Sequence, residues 1–259
     1  MPMANTEVCL LGTFRMVCPT RGPIQLTAKK GQVLLARLAL APDHAVSRER
    51  LVPLLWGSAE PAQARNSLRQ LLFSVRRQLT ACDVELLRVE GDVVRLDPER
   101  GSIDAIRFQI LARNADYDSL TQAAATYSGD LLDHLAIEGE PFEPWVVAER
   151  ERLRELAIRS LRRLMLLQRQ RGASDEAIDT GIRILGLDAL DEATHRALMS
   201  LYADQQRWGS VERQFHVCRA LVRRHLNVPP QPATEQLYRE LLQQRQNAPA
   251  TALDEVWAS

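Results

Sequence analysis

The fold of the first hundred residues can be predicted outward from one segment, Ala64-Arg65-Asn66-Ser67-Leu68-Arg69-Gln70-Leu71-Leu72-Phe73-Ser74-Val75-Arg76-Arg77-Gln78-Leu79. Its apolar residues recur every three or four positions, at Leu68, Leu72, Val75 and Leu79. This is the spacing of one face of an α-helix. The other faces carry arginines and amides but no Asp or Glu. The stretch therefore predicts an amphipathic helix with one buried face and one cationic, exposed face.

The polar side chains of this helix are suited to contact DNA. Arginine presents a planar fork of donors that suits phosphate, and Asn and Gln match the edge of adenine. We therefore predict that the helix binds DNA through Arg65, Asn66, Arg69, Gln70, Ser74, Arg76 and Arg77. Within that group the two amides are candidates for base contacts and the serine for a phosphate contact. The alternative is an ordinary amphipathic helix whose arginines are solvated.

Composition and charge narrow the class of protein. The chain has 259 residues, of which 46% are hydrophobic, so it can form one large or two ordinary packed domains. Its net charge is zero, but residues 1–100 hold 14 basic and 10 acidic side chains, whereas residues 101–259 hold 19 and 23. This asymmetry favours a polyanion contact within the first hundred residues.

Several kinds of chemistry lack the residues that they need. The four cysteines are scattered without metal-ligand spacing, which predicts reduced thiols and no metal site. No Gly-Lys-Ser/Thr triplet is present, so the usual P-loop is excluded. We expect no catalytic residues, no cofactor and no enzyme activity. The chain also lacks a secretory signal core and a membrane-spanning run, which predicts a cytoplasmic protein without a membrane partner.

The residues around the cationic helix predict the rest of a small domain. Strands are expected at 7–18 and 24–26, and helices at 32–40 and 48–56. Arg48, at the start of the second helix, is a further candidate for phosphate contact.

A β-hairpin is predicted after the cationic helix. Residues 86–90 and 93–97 are β-rich, and Gly91-Asp92 suits a two-residue turn. That register places Arg88 opposite Arg95, where like charges cost stability unless an anion lies between them. A DNA phosphate would supply this anion, so both arginines are candidate DNA contacts; solvated arginines are the alternative. The acidic tip, with Glu90 and Asp92, argues against close contact with DNA at that point.

The order of strands, helix, helix, cationic helix and hairpin is that of a winged helix-turn-helix with an added N-terminal sheet. We assign this α+β domain to residues 1–100, with a hinge at 98–102. Residues 101–246 are predicted to form an all-α domain, and residues 247–259 a disordered tail.

The all-α domain shows signs of a helical repeat. Helices are predicted at 104–115, 118–129, 142–171, 174–186, 191–206, 209–225 and 233–246. Gly172 and Gly209 occupy similar places, and Leu161, Leu164 and Ile178 correspond to Leu198, Leu201 and Phe215. This spacing resembles tetratricopeptide-type repeats, which stack into a surface for protein partners.

These features together resemble one family, the bacterial transcriptional activators typified by Streptomyces antibiotic regulatory proteins. That family joins an OmpR-like winged helix to a helical bacterial transcriptional activator domain. The resemblance spans about residues 8–243. The motifs that carry it are Leu11 to Arg15, Leu34 to Leu40, Ser47 to Leu51, Leu55 to Gly57, Ala64 to Leu79, Tyr127 to Leu132, Phe142 to Trp145, Glu149 to Leu153 and Asp191 to Met199.

The resemblance implies sequence-specific binding to double-stranded DNA at promoters and activation by helping RNA polymerase bind. It also implies that two protomers bind side by side at repeated sites, as a homodimer on DNA. Two other functions stay open on the sequence. One is a helical-repeat adaptor whose winged helix binds only protein, and the other is a sensory head derived from a larger regulator.

Overall fold

The computed structural model describes residues 6–19, 21–80 and 85–247. By the density of its internal packing the chain divides into two compact units, Met1–Ser160 and Leu161–Ser259. This division falls after Ser160, whereas the domain boundary predicted from the sequence falls after residue 100. Cys82 and nearly all of the predicted tail lie outside the described residues.

Two small sheets lie in the first unit. The strands are β1 (Thr6–Cys9), β2 (Arg15–Cys18), β3 (Gly22–Pro23), β4 (Ala45–Ser47), β5 (Leu87–Glu90), β6 (Val93–Leu96) and β7 (Gly101–Ile103). One sheet has the order β3-β2-β1-β7, and the other has the order β4-β6-β5. The short strand predicted at 24–26 is found instead as β3, two residues earlier.

Three helices belong to the same part of the chain: α1 (Lys29–Ala39) precedes β4, and α2 (Arg48–Trp56) and α3 (Pro61–Thr80) lie between β4 and β5. Helix α1 packs against α2, α3 and β6. It buries a nearly continuous apolar run from Val33 to Ala39, broken only by the half-exposed Arg37. The residue before α1 is Ala28, and no side chain caps the start of this helix. Together, α2, α3 and the β5–β6 hairpin confirm the predicted winged helix-turn-helix.

The β5–β6 hairpin has the predicted register. Leu87 pairs with Leu96, Arg88 with Arg95, and Val89 with Val94. Gly91 has a φ of +59°, which a glycine adopts without strain at the first position of a tight hairpin turn. The sequence did not reveal β4, which pairs with the other edge of β6.

The hinge predicted at residues 98–102 is wrong. A short 3₁₀ turn covers Pro98–Arg100, and the next three residues form β7, which runs parallel to β1. Asp104, directly after β7, accepts hydrogen bonds from the backbone N–H groups of Leu10 (2.7 Å) and Leu11 (3.0 Å). The segment after the hairpin is therefore held in the N-terminal sheet.

The remaining helices are α4 (Asp104–Arg113), α5 (Tyr117–Thr126), α6 (Glu143–Gln170), α7 (Ser174–Leu187), α8 (Glu192–Asp204), α9 (Trp208–Leu226) and α10 (Pro232–Asn247). In the second unit α7 packs on α8, and α8 on α9 and α10. The six apolar residues that we matched across the 37-residue offset between Gly172 and Gly209 are all buried. The tetratricopeptide-like arrangement of this part is confirmed.

Candidate nucleic-acid interface

Helix α3 has the amphipathic character that its sequence predicts. Its buried residues are Ala64, Leu68, Leu72, Val75 and Leu79. Pro61 occupies the start of the helix, where a missing N–H costs nothing. The Glu60 carboxylate accepts a hydrogen bond from the Gln63 backbone N–H at 2.8 Å, which satisfies one of the free donors of the first turn. One face is therefore fixed to the domain, and the others are free to carry polar groups.

All seven predicted DNA-contact residues of α3 are exposed: Arg65, Asn66, Arg69, Gln70, Ser74, Arg76 and Arg77. Among the described residues, no carboxylate lies within ion-pair distance of these four arginines. Helix α6 differs, since Arg152 pairs with Glu149 at 2.7 Å and Arg154 with Glu151 at 3.1 Å. No direct ion pair within the described part of the chain therefore occupies the four arginines of α3.

Part of this cationic face forms the wall of a groove between α3 and the hairpin, which we name the first groove. It is lined by Arg48, Arg69, Leu72, Phe73, Arg76, Arg77, Thr80 and Val89. Among the residues that the structure describes, no acidic side chain lines it. Arg48 is half-buried, and its Nε atom has no hydrogen-bond partner among the described residues. The first groove therefore combines four guanidinium groups with an apolar floor.

A second groove shares Arg48 and Arg69 with the first groove. It is lined by Arg48, Glu49, Val52, Pro61, Arg65, Leu68, Arg69 and Asp92. It contains two carboxylates as well as three arginines. The hairpin tip is anchored here, because the Arg48 backbone N–H donates to the Asp92 carbonyl oxygen at 2.8 Å. The mixed charge makes this groove less suited to a polyanion than the first groove. Asn66, Gln70 and Ser74 line neither groove.

The hairpin arginines have acceptors within the chain. Arg88 lies 3.4 Å from an Asp97 carboxylate oxygen and 3.8 Å from that of Glu85. Arg95 donates to the Asp43 carbonyl oxygen at 3.0 Å. The repulsion between Arg88 and Arg95 is therefore relieved by the Asp97 carboxylate and the Asp43 carbonyl group. A DNA phosphate is not required for this. Neither arginine lines the two grooves, and their contact with DNA stays a prediction.

Phe73 is a residue of the first groove that was not among the predicted DNA contacts. This side chain is 69% exposed and lies among the arginines of the first groove. The signal was present in the sequence, since Phe73 follows Leu72 and falls outside the i, i+4, i+7, i+11 stripe that faces the core.

Within residues 6–19, 21–80 and 85–247, no group of three His, Cys, Asp or Glu side chains is arranged to hold a metal ion. Over the same residues, no helix has both the length and the apolar composition required to cross a bilayer.

A winged helix-turn-helix followed by tetratricopeptide-like helices, with a cationic helix α3, defines a class of DNA-associated regulators. Comparison with protein families agrees. The family described as bacterial transcriptional activator domain matches residues 108–242. This is more than half of the chain, and the protein belongs to that family of transcriptional regulators.

One solved structure shows that the fold extends over both parts of the chain. Mycobacterium tuberculosis EmbR, in a complex with a low affinity phosphopeptide, aligns with a TM-score of 0.68 and 19% sequence identity. The alignment covers 93% of this chain and 65% of the EmbR chain, so this protein spans less than two thirds of EmbR. A comparison with curated proteins found no match.

Proposed function

We propose that this protein is a sequence-specific DNA-binding activator of transcription that inserts α3 into the major groove of promoter DNA. Further parts of the proposal are that two protomers bind side by side at repeated sites, that the helical part helps RNA polymerase bind, and that the protein acts in the cytoplasm without catalysing a reaction. Membership of the activator-domain family supports the regulatory role.

The proposal rests on the exposed arginines of α3, which form no direct ion pair within the described part of the chain. Four arginines, Arg65, Arg69, Arg76 and Arg77, are exposed on a helix that contains no acidic residue, and the opposite face of this helix is buried in the core. A duplex supplies phosphates along its whole length and releases counterions when arginines bind them. A rigid helix of 20 residues is about 30 Å long, so several turns can follow one groove.

The test begins with selection of bound fragments from random duplexes, followed by gel-shift measurements on the selected site. Arg69 lines both grooves. We expect Arg69→Ala to weaken binding at least about fivefold, the range for one good polar contact to DNA. The combined Arg65, Arg69 and Arg76 alanine variant should lose specific binding. Each phosphate contact removed should lower the slope of log affinity against log salt by about 0.9.

Arg213→Ala is the matched control, because Arg213 is an exposed arginine on α9 and its removal changes the net charge equally. It should bind like the wild type. Unchanged selective binding by the three-arginine variant would falsify the proposed role of α3. The adaptor function would instead be supported if the wild type showed no salt-sensitive retention of any duplex.

A further inference from the structure

Phe73 is the most exposed of the large hydrophobic side chains in the described part of the chain, with 69% of its surface accessible. It extends from α3 on the side away from Leu68, Val75 and Leu79, which are buried. An exposed phenylalanine on a helix gains nothing from the fold itself. Its apolar surface becomes favourable only where another molecule covers it.

The position of Phe73 on α3 lies within the cationic face. At about 100° per residue, Arg69 and Arg77 lie about 40° to either side of it around the helix axis. Both arginines, together with Arg48 and Arg76, line the first groove with Phe73. Four guanidinium groups disfavour the approach of an apolar protein surface and favour a polyanion.

A DNA duplex presents little apolar surface to a helix in its major groove. Phosphates and sugars are polar, and the base edges offer hydrogen-bond donors and acceptors. The exception is the C5-methyl group of thymine, which projects into the major groove and is contacted by small apolar or aromatic side chains. Insertion of an apolar side chain between bases is a feature of minor-groove binders, which a helix in the major groove is not.

We propose that Phe73 is a specificity-determining residue that contacts the 5-methyl group of a thymine in the bound site. The proposal rests on the proposed function, because it requires α3 in the major groove. The surrounding arginines bind phosphates and hold the helix in register, and Phe73 adds a preference for thymine at one position that phosphate contacts do not provide.

The experiment uses the full-length protein and the duplex selected from random sequences. Each thymine of that duplex is replaced in turn by deoxyuridine, which removes only the methyl group. We expect one or two positions at which this replacement weakens wild-type binding about three- to fivefold, as expected for loss of one buried methyl group. In Phe73→Ala the same replacements should have no effect on binding. The slope of log affinity against log salt concentration should equal that of the wild type, because the phosphate contacts are unchanged.

Ile110→Ala is the matched control, since Ile110 is also an exposed apolar residue (57%) but lies on α4. It should keep the wild-type response to deoxyuridine. Because Phe73 is exposed, Phe73→Ala should unfold at the same temperature as the wild type. Thermal unfolding followed by circular dichroism checks this.

Two outcomes overturn the inference, and they differ from failure of the proposed function. If the wild type binds its selected duplex but responds to deoxyuridine nowhere, or if Phe73→Ala keeps the response, Phe73 does not read thymine although α3 still binds DNA. If the wild type selects no duplex at all, the proposed function fails and the inference fails with it.

Discussion

At the scale of single residues, two glycines of α7 show how packing reverses a local preference. Gly181 is buried, and a Cβ atom added there would lie 2.7 Å from Cδ2 of Leu198 on α8. Gly186 is exposed, and nothing lies within 4 Å of the same atom. Glycine inside a helix costs about 0.8–1.0 kcal/mol relative to alanine. At Gly181 this cost is offset, because the missing side chain lets Leu198 of α8 pack directly against α7. Gly186 has no such compensation.

The two glycines give a prediction with its own control. Gly181→Ala should lower the free energy of unfolding by about 1–3 kcal/mol, since Leu198 is fully buried and must shift. Gly186→Ala should raise it by up to about 1 kcal/mol through helix propensity alone. Urea unfolding of both variants measures the difference. Equal effects of the two substitutions would show that α7 and α8 are not in close contact at Gly181.

At the scale of elements, Asp104 links the first turn of α4 to the end of β1. Its carboxyl group accepts from the N–H groups of Leu10, Leu11 and its own neighbour Ala105. Burial raises the pKa of Asp104 to about 6, although the three backbone N–H groups act in the opposite direction. The folded protein therefore binds this proton more tightly than the unfolded chain does.

The stability contributed by Asp104 protonation is present at acid pH and is lost as the pH rises through about 6. Asparagine at this position does not titrate. We therefore expect Asp104→Asn to destabilise the protein more at pH 4 than at pH 7, by about 2 kcal/mol for a shift of this size. Chemical unfolding of both proteins at the two pH values checks this. If Asp104→Asn lowered the free energy of unfolding equally at pH 4 and at pH 7, the raised pKa of Asp104 would be contradicted.

At the scale of the whole molecule, β7 decides how the winged helix continues into the helical part. A free hinge at residues 98–102 would be open to proteases. In the structure Gly101 is buried and pairs with Thr6 of β1, although the Arg100 side chain is half-exposed. The first compact unit accordingly continues past the hairpin as far as Ser160.

Limited digestion with trypsin tests this continuity. The bond between Arg100 and Gly101 should resist cleavage in the native protein, because a protease requires an extended, unpaired segment. A fragment ending at Arg100 should therefore not accumulate early, although the same bond should be cut rapidly in urea. Early appearance of that fragment from the native protein would instead support the hinge.

Features that depend on residues close together in the chain could be predicted from the amino-acid order. The stripe of Leu68, Leu72, Val75 and Leu79 specified which side of α3 is buried, and Gly91 specified the turn and register of the hairpin. The predicted ends of the long helices in the second half of the chain lie within a few residues of the observed ends. Periodicity and turn chemistry act over a few residues, so they can be read from the chain alone.

Features that join residues far apart in the chain became visible only in the folded protein. The three-residue strands β4 and β7 carry too little pattern to be recognised and exist because β6 and β1 supply their partners. The same long-range packing supplies the acceptors of Arg88 and Arg95. It also brings Asp104 to Leu10 and Leu11, which precede it by 94 and 93 positions in the sequence. Because such contacts form only when the chain folds back on itself, residue order cannot reveal them.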